Sequence, residues 1–244
     1  MHYNWQWDVF LQTASGHQTY LDWLLSGMWT TVQMGALGWI LAFALGSILG
    51  ILRTVPHRFA RGIASTYVEV VRSVPLIVQL FLWYYLMPSL LPEGWRTWLF
   101  AEPPATTSFV TATLGLGFFT AARVCEQVRA GIDSLPRGQL NAALAMGLTL
   151  PQAYRYVLLP VAYRVIIPPM TSEMLSIFKN SSIAASVGVP ELFARARQLN
   201  DYTARSYESF IAVIACYLLI NAAVIALMTL VERRARVPGF MNAK

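Results

Sequence analysis

The sequence predicts an all-α polytopic membrane protein with about five transmembrane helices. Of its 244 residues, 56% are hydrophobic and only 12% are charged, whereas soluble domains carry about 25% charged residues. Long apolar runs recur along the chain, and Trp and Tyr lie near their ends, as is typical of residues anchored at a membrane interface. We therefore expect the lipid bilayer to be the main partner of the surface.

Composition and motifs exclude several other classes of protein. The net charge of +6 is explained by arginine retained on the cytoplasmic side of a membrane protein, so we expect no nucleic-acid partner. Cys125 and Cys216 lie in separate apolar runs, and we expect neither a disulfide nor a metal site. The G-x-x-x-x-G-K-[ST], H-E-x-x-H and G-x-S-x-G patterns do not occur, so we predict no enzymatic activity and no cofactor on this chain.

The first span is predicted over about 28–52, which carries no charge and exceeds the roughly 20 residues needed to cross a bilayer. Residues 1–27 are polar and aromatic, and we expect them at the extracytoplasmic surface or interface. Lys and Arg are absent before Arg53 and frequent just after it. This asymmetry places the N-terminus outside and argues against a cleavable signal peptide.

Two further spans are predicted at about 68–91 and 108–129. Glu69 and Arg72 open the second span at a spacing of three residues, so we expect them to neutralise one another near the cytoplasmic interface and Arg72 to be structural. The proline-rich segment 92–107 is predicted to be an outer loop.

The fourth span is predicted over about 157–178, and its Pro168–Pro169 pair should bend or break it. Residues 179–205 are predicted to form a long outer loop with one short helix near 190–197. The fifth span, about 209–231, is followed by the basic segment 232–236, which indicates a cytoplasmic C-terminus.

A short helix is predicted between the third and fourth spans. The run from Gln139 to Met146 consists mostly of strong helix formers, and Gly147 supplies a stop signal at its end. The helix is too short and polar to cross a bilayer. It is either an ordinary surface helix or a protrusion that a partner protein grips.

Ionisable residues within the predicted spans are candidates for function, because burying charge in a bilayer is costly. Arg123 either pairs with Glu126, three residues later, or faces a water-filled cavity and binds a substrate carboxylate. Glu173 and Lys179 are six residues apart and do not share a helix face, so each needs its own partner. Pairing with another span is the alternative to a role in transport.

Several short strings of the sequence resemble ABC importer permeases. Ala142-Ala143, Gly147 and Leu158-Leu159-Pro160 resemble the EAA loop of that family, with Asn141 where a Glu is usual. The string from Glu69 to Gln79 resembles the opening of a helix in the polar amino-acid permeases. The strings at 4–10, 179–182, 194–198 and 202–205 are similar to those of glutamate/aspartate import permeases.

The resemblance implies a type I ABC importer permease fold, in which residues 137–149 form a cytoplasmic coupling helix that docks into an ATPase subunit. Because Asn141 is neutral, a hydrogen bond would replace any ion pair that the usual Glu makes with the ATPase. The coupling residues implied are Arg137, Gly138, Asn141, Ala142, Ala143, Met146 and Gly147.

The same resemblance implies partners and a substrate. Two ATPase subunits would bind ATP-Mg, a periplasmic binding protein would deliver substrate to the outer loops, and a similar or identical permease chain would complete the pathway for alternating access. An acidic amino acid, glutamate or aspartate, is expected, with Arg123 selecting it, Glu173 holding its ammonium group and Lys179 a carboxylate. The substrate pathway implied comprises Arg72, Arg123, Glu173, Lys179, Ser181 and Ser182.

Three alternatives remain at this point. The same scaffold could carry histidine, glutamine or arginine. An ion-coupled secondary carrier usually has two matching halves, which the sequence does not display. An intramembrane enzyme would need a nucleophile–base or metal pair, and none is evident.

Overall fold

The computed structural model describes residues 3–235, and nearly all of them are helical. The predicted all-α class is confirmed, apart from one two-stranded hairpin, β1 (Thr13–Ser15) with β2 (Gln18–Thr19). The helices are α1 Tyr20–Thr54, α2 Arg58–Ser73, α3 Leu76–Phe81, α4 Met87–Leu90, α5 Glu93–Ala101, α6 Pro104–Asp133, α7 Arg137–Ala145, α8 Leu150–Ala153, α9 Leu159–Asn180, α10 Leu192–Thr203 and α11 Ser206–Ala235.

Helix α1 begins eight residues before the predicted start of the first span at 28. The cause is a reciprocal cap: the amide and hydroxyl of Thr19 donate to Asp22 Oδ2 at 2.8 Å, and the amide of Asp22 donates to Thr19 Oγ1 at 3.2 Å. Such a cap satisfies amides that the first turn of a helix leaves without partners. Part of the segment predicted to precede the span is therefore helical.

The second predicted span is broken rather than continuous. Helix α2 ends at Ser73, Pro75 has extended backbone angles, and α3 begins at Leu76. Proline lacks an amide proton and disfavours helical geometry in the preceding residue, here Val74. After the break, α3 continues through a π-helical turn, Leu82–Leu86, into α4.

Two predicted loops contain helices. Residues 92–107 form α5 and the first turn of α6, and residues 179–205 contain the end of α9, a 3-10 segment, Ser181–Val187, and α10. The short helix predicted near 190–197 corresponds to α10. Its amino-terminal cap is Glu191, which accepts the amides of Phe193 and Ala194 at 2.9 and 2.7 Å.

Helix α9 continues through Pro168 and Pro169, so of the predicted bend or break, the break is wrong. Prolines are tolerated within membrane helices where neighbouring groups satisfy the freed carbonyls.

Within residues 3–235, three helices are long and apolar enough to cross a membrane: α1, α6 and α11. The count is four if α2 with α3–α4 forms one broken span, compared with about five predicted. Helix α9 is the difference, because Arg164, Glu173 and Lys179 lower its hydropathy. Arg236, at the end of the predicted basic stop, lies outside the described residues.

The chain divides into two compact units. Residues 3–40, 74–117 and 176–222 form the first unit, whose fully buried side chains include Leu80, Leu116 and Ile177. Residues 41–73, 118–175 and 223–235 form the second unit. Its packed cluster joins α1, α2 and α6 through Leu49, Ala64, Val68, Ala122 and Cys125.

Candidate functional site

The second unit contains a cavity of about 310 Å³ whose lining is mostly polar. Helix α6 supplies one wall, because residues spaced three or four apart share a helix face. Helix α2 contributes Arg72 from its last turn, and α9 contributes Glu173. The α6 residues that line the cavity are Phe119, Arg123, Glu126 and Gln127.

Arg123 and Glu173 form an ion pair between α6 and α9. Arg123 Nε lies 2.6 Å from Glu173 Oε2, and its Nη2 lies 3.4 Å from Oε1. Gln127 Nε2 donates to the same Oε1 at 3.4 Å. The Glu173 side chain is 8% exposed and that of Arg123 is 43% exposed. The carboxylate is therefore largely enclosed, while part of the guanidinium still faces the cavity.

This geometry corrects one interpretation and confirms another. The alternative that pairs Arg123 with Glu126 is wrong, because the guanidinium is directed at Glu173. The alternative that gives Glu173 a partner on another helix is confirmed as a contact.

Glu126 is surrounded by three arginines. Its Oε1 lies 2.5 Å from Arg53 Nη1 and 3.5 Å from Arg72 Nη1, and its Oε2 lies 3.7 Å from Arg129 Nη1. Arg129 Nε also lies 3.3 Å from Asp133. This group holds three cations and two anions, so it carries an excess positive charge. The predicted pairing of Arg72 with Glu69 is wrong, because its ion pair in the described chain is with Glu126.

The cavity has the chemical features needed to hold a small zwitterion. The Arg72 side chain is 59% exposed and lies 3.5 Å from Glu126, so its guanidinium can offer donors to a ligand. Arg123 offers the guanidinium donors that Glu173 does not engage. Arginine donors arranged in a planar fork are well suited to carboxylates, and Glu126 is an acceptor for an ammonium group.

The other predicted pathway residues, Lys179, Ser181 and Ser182, belong to the first unit. Lys179 is exposed at the end of α9. The Ser181 and Ser182 hydroxyls donate to the carbonyls of Phe178 and Lys179 at 2.7 and 2.8 Å. Both hydroxyls therefore satisfy the end of α9 in this structure.

A second cavity, of about 230 Å³, lies in the first unit beside α10. Gly188, which ends the 3-10 segment with a φ of 83°, lines it together with Val189 and Pro190. The exposed face of α10 contributes Arg197, Gln198 and Asp201.

The short helix predicted between the third and fourth spans is present as α7, which ends four residues before Thr149, the predicted end of the coupling segment. Gly147, with a φ of 87°, terminates it: its amide donates to Leu144 O, and the Leu148 amide donates to Ala143 O. This pattern is a Schellman motif. The confirmed feature is the helix and its glycine stop.

One side of α7 is packed and the other is open. Ala143 is completely buried, whereas Leu144 and Met146 are 42% and 74% exposed. The other predicted coupling residues on the exposed side are Arg137, Gly138, Asn141, Ala142 and Gly147.

Sequence reasoning missed three residues near the site. Phe119 and Gln127 lie four positions before and after Arg123, so their helical spacing was a usable signal. Arg53 lies 73 residues from Glu126, and only the packing of α1 against α6 joins them.

The model of one protein family matches residues 42–237: the binding-protein-dependent transport system inner membrane component. The chain belongs to this family. It is 57% identical, over the whole of both chains, to the glutamate/aspartate import permease GltJ of Escherichia coli K12. It is 32% identical to the probable amino-acid ABC transporter permease PatM of Vibrio harveyi, covering 80% of this chain and 83% of that one.

Solved structures agree with this assignment. A crystal structure of an amino acid ABC transporter with histidines has a TM-score of 0.71 and 28% identity, covering 88% of this permease and 95% of that chain. The methionine transporter MetNI has a TM-score of 0.73 at 20% identity, covering 89% and 98%, and shares the fold.

The chain is therefore a multi-pass membrane permease, the transport subunit of an ABC importer and not an enzyme. Permeases of such importers act with ATPase and binding-protein subunits, and they bind no cofactor themselves.

Proposed function

We propose that this permease carries glutamate and aspartate inward, as the name of GltJ states for that relative. The observation that carries this proposal is 57% identity over the full length of both chains. The cavity beside Arg123 supports it, because an acidic amino acid presents two carboxylates and the lining supplies two partly exposed guanidinium groups.

In this proposal Arg72 and Arg123 bind the two carboxylates of the substrate. The ammonium group approaches Glu126 or Glu173, whose carboxylates line the same cavity. Because Glu173 holds Arg123 through Nε and Nη2, it orients the guanidinium before substrate arrives. Lys179, with Ser181 and Ser182 beside it, is proposed as a second position that binds a substrate carboxylate along the transport pathway.

Transport would proceed by alternating access between states open to opposite sides of the bacterial inner membrane. The N-terminus lies outside and the C-terminus in the cytoplasm, as the arginine distribution favours. A periplasmic binding protein delivers substrate to the surface formed by residues 92–107 and 179–205. A second permease chain, similar or identical, completes the pathway.

ATP-Mg binds to the partner ATPase subunits, and α7 transmits their closure to the permease. The exposed Leu144 and Met146 side chains supply apolar contact area, and Asn141 offers an uncharged hydrogen bond where the family usually has a Glu.

The substrate assignment is tested by ATP-dependent uptake of labelled glutamate, aspartate, glutamine, histidine and arginine. The permease is reconstituted in proteoliposomes with its ATPase, its binding protein and the second permease chain. Uptake of the two acids alone supports the proposal. Uptake of histidine or arginine instead would indicate that the permease carries basic amino acids and would contradict the proposal. Uptake without the ATPase would contradict an ABC mechanism.

Two variants separate charge from geometry at the site. Arg123→Lys keeps the positive charge but loses the planar fork, and Arg123→Gln loses both. We expect acidic uptake to fall about 10-fold or more in the glutamine variant and less in the lysine variant, with basal ATPase activity retained. Equal uptake in all three proteins would exclude Arg123 from substrate binding.

The role of α7 is tested by Met146→Glu, which places a charge on its exposed surface. We expect weaker co-purification of the ATPase and loss of uptake. The control Tyr156→Glu inserts the same charge at another exposed side chain, 64% accessible, and should retain ATPase binding. Normal assembly of Met146→Glu would contradict the docking role.

A further inference from the structure

Helix α2 has an apolar side of which only part packs against other helices of the described chain. Ala64 and Val68 are at most 2% exposed and pack in the cluster with α1 and α6. Phe59 and Ile63 are 80% and 70% exposed, and Val70 is 58% exposed. At 3.6 residues per turn, these three side chains form one stripe, which lies about 140° around the helix from Ala64 and Val68. Half of the apolar side therefore faces away from the chain.

The opposite side of α2 carries positive charge near its amino-terminal end. Arg58 and Arg61 lie in its first two turns and are exposed. The Arg61 Nη2 donates to the Val55 carbonyl at 3.2 Å, which fixes its guanidinium at the turn that joins α1 to α2. No acidic residue occurs between Asp22 and Glu69 in the sequence. This end of α2 therefore complements an anionic surface.

The position of α2 identifies that surface as the membrane. Helix α1 is a candidate span that ends at Thr54, and only three residues separate it from Arg58. Three linking residues extend to at most about 14 Å across the four steps between Thr54 and Arg58, so α2 begins near the level of the lipid headgroups. With 16 residues, α2 is shorter than the roughly 20 residues required to cross the bilayer.

We propose that α2 is an interfacial helix that binds anionic phospholipid at the membrane surface where α1 ends. Phe59 and Ile63 insert at the boundary between headgroups and acyl chains, and Arg58 and Arg61 contact the lipid phosphates. In this arrangement α1 and α6 cover half of the apolar side of the helix, and lipid acyl chains cover the rest. The arginines on the polar side face the lipid headgroups. The site is separate from the cavity at Arg123 and does not depend on which amino acid is carried.

The depth of α2 is tested with nitroxide labels in the complete transporter reconstituted in vesicles. The single substitutions Phe59→Cys and Ile63→Cys, with Glu69→Cys on the polar side as control, are made in a chain that carries Cys125→Ala and Cys216→Ala. We expect labels at 59 and 63 to be more accessible to oxygen than to a water-soluble nickel chelate, and the label at 69 to show the reverse.

Two results would overturn the proposed depth. Preferential access of the nickel chelate at 59 and 63 would place the stripe in water. Exclusion of both reagents would mean that a protein surface, from a second permease chain or an ATPase subunit, covers it.

Lipid choice is tested by thermal unfolding of the transporter in nanodiscs of phosphatidylcholine with or without phosphatidylglycerol. We expect phosphatidylglycerol to raise the melting temperature of the unmodified protein, and Arg58→Gln/Arg61→Gln to lose at least half of that increase. Arg197→Gln, at an exposed position of α10, should keep the increase. An unchanged increase in the double variant would overturn anionic lipid binding by α2.

Discussion

Arg123 and Glu173 lie 50 residues apart in the sequence, and their side chains meet at 2.6 Å between α6 and α9. The two partners are unequally buried, since the Glu173 side chain is 8% exposed and the Arg123 side chain 43%. Glu173 therefore depends on Arg123 more than Arg123 depends on Glu173. A charge left alone in an enclosed site costs more free energy than the pair contributes when complete.

We expect this asymmetry to appear in a double-mutant cycle. Arg123→Gln leaves the Glu173 carboxylate with Gln127 as its polar contact at this end of the site. Because the pair is partly exposed, this substitution should lower the free energy of unfolding by about 1–3 kcal/mol. Glu173→Gln should cost less, because the half-exposed Arg123 side chain reaches water. The double variant should be more stable than Arg123→Gln alone, as measured by thermal unfolding in detergent; additive losses would contradict the coupling.

Glu126 provides a second electrostatic prediction, because three arginines surround one carboxylate. Glu126→Gln removes the negative charge and leaves Arg53, whose side chain is 10% exposed, near two other cations. We expect a loss of about 1–3 kcal/mol in unfolding free energy.

The control for this substitution is Glu69→Gln, at an exposed position of α2, where the expected change is within about 0.5 kcal/mol. Comparable melting temperatures for both variants would show that Glu126 does not organise the arginines.

Gly46 permits α1 to approach α6 closely. A Cβ at this position would lie 2.6 Å from Val124 Cβ and 2.7 Å from the Ala121 carbonyl oxygen. Gly46→Ala should therefore destabilise the protein by about 1–3 kcal/mol, because the helices must separate. Gly62→Ala in α2, where nothing lies within 4 Å, should stabilise it by roughly 0.5–1 kcal/mol. The same sign for both substitutions in thermal unfolding would contradict this packing.

Most of the helical fold was predictable, because long uncharged runs and glycine or proline signals are local features of the sequence. Gly147 marked the end of α7 correctly, and apolar runs located α1, α6 and α11. The break at Pro75 was not predicted, although proline carries a local signal for it. The apolar run around it is long enough to mask that signal.

The individual residues of the candidate site were predictable from the sequence, but the contacts between them were not. Arg123, Glu173 and Arg72 stood out because charge is rare in apolar segments. Their partners were predicted wrongly where only neighbours in the sequence were considered, as with Arg72 and Glu69. The contact of Arg53 with Glu126 depends on the packing of α1 against α6, for which no local pattern exists.

Glu191 provides a prediction about pH, since it is completely buried at the amino-terminal cap of α10. Burial raises its pKa from 4.5 to about 7, although the amides of Phe193 and Ala194 and the Tyr217 hydroxyl favour the ionised form. The folded protein therefore retains this proton at pH values where the unfolded chain has lost it. The stability contributed by Glu191 is complete below about pH 4.5, decreases as pH rises to about 7, and is then constant.

Glu191→Gln keeps a carbonyl oxygen for the cap but removes the titration, so it isolates this effect. We expect the melting temperature of the variant, relative to that of the unmodified protein, to rise by a few degrees between pH 5 and pH 8. Glu93→Gln, at an exposed position of α5, should show no such trend. If the difference for Glu191→Gln is also independent of pH, the buried carboxyl does not change its protonation in this range, and the cap functions with the carboxylate ionised throughout.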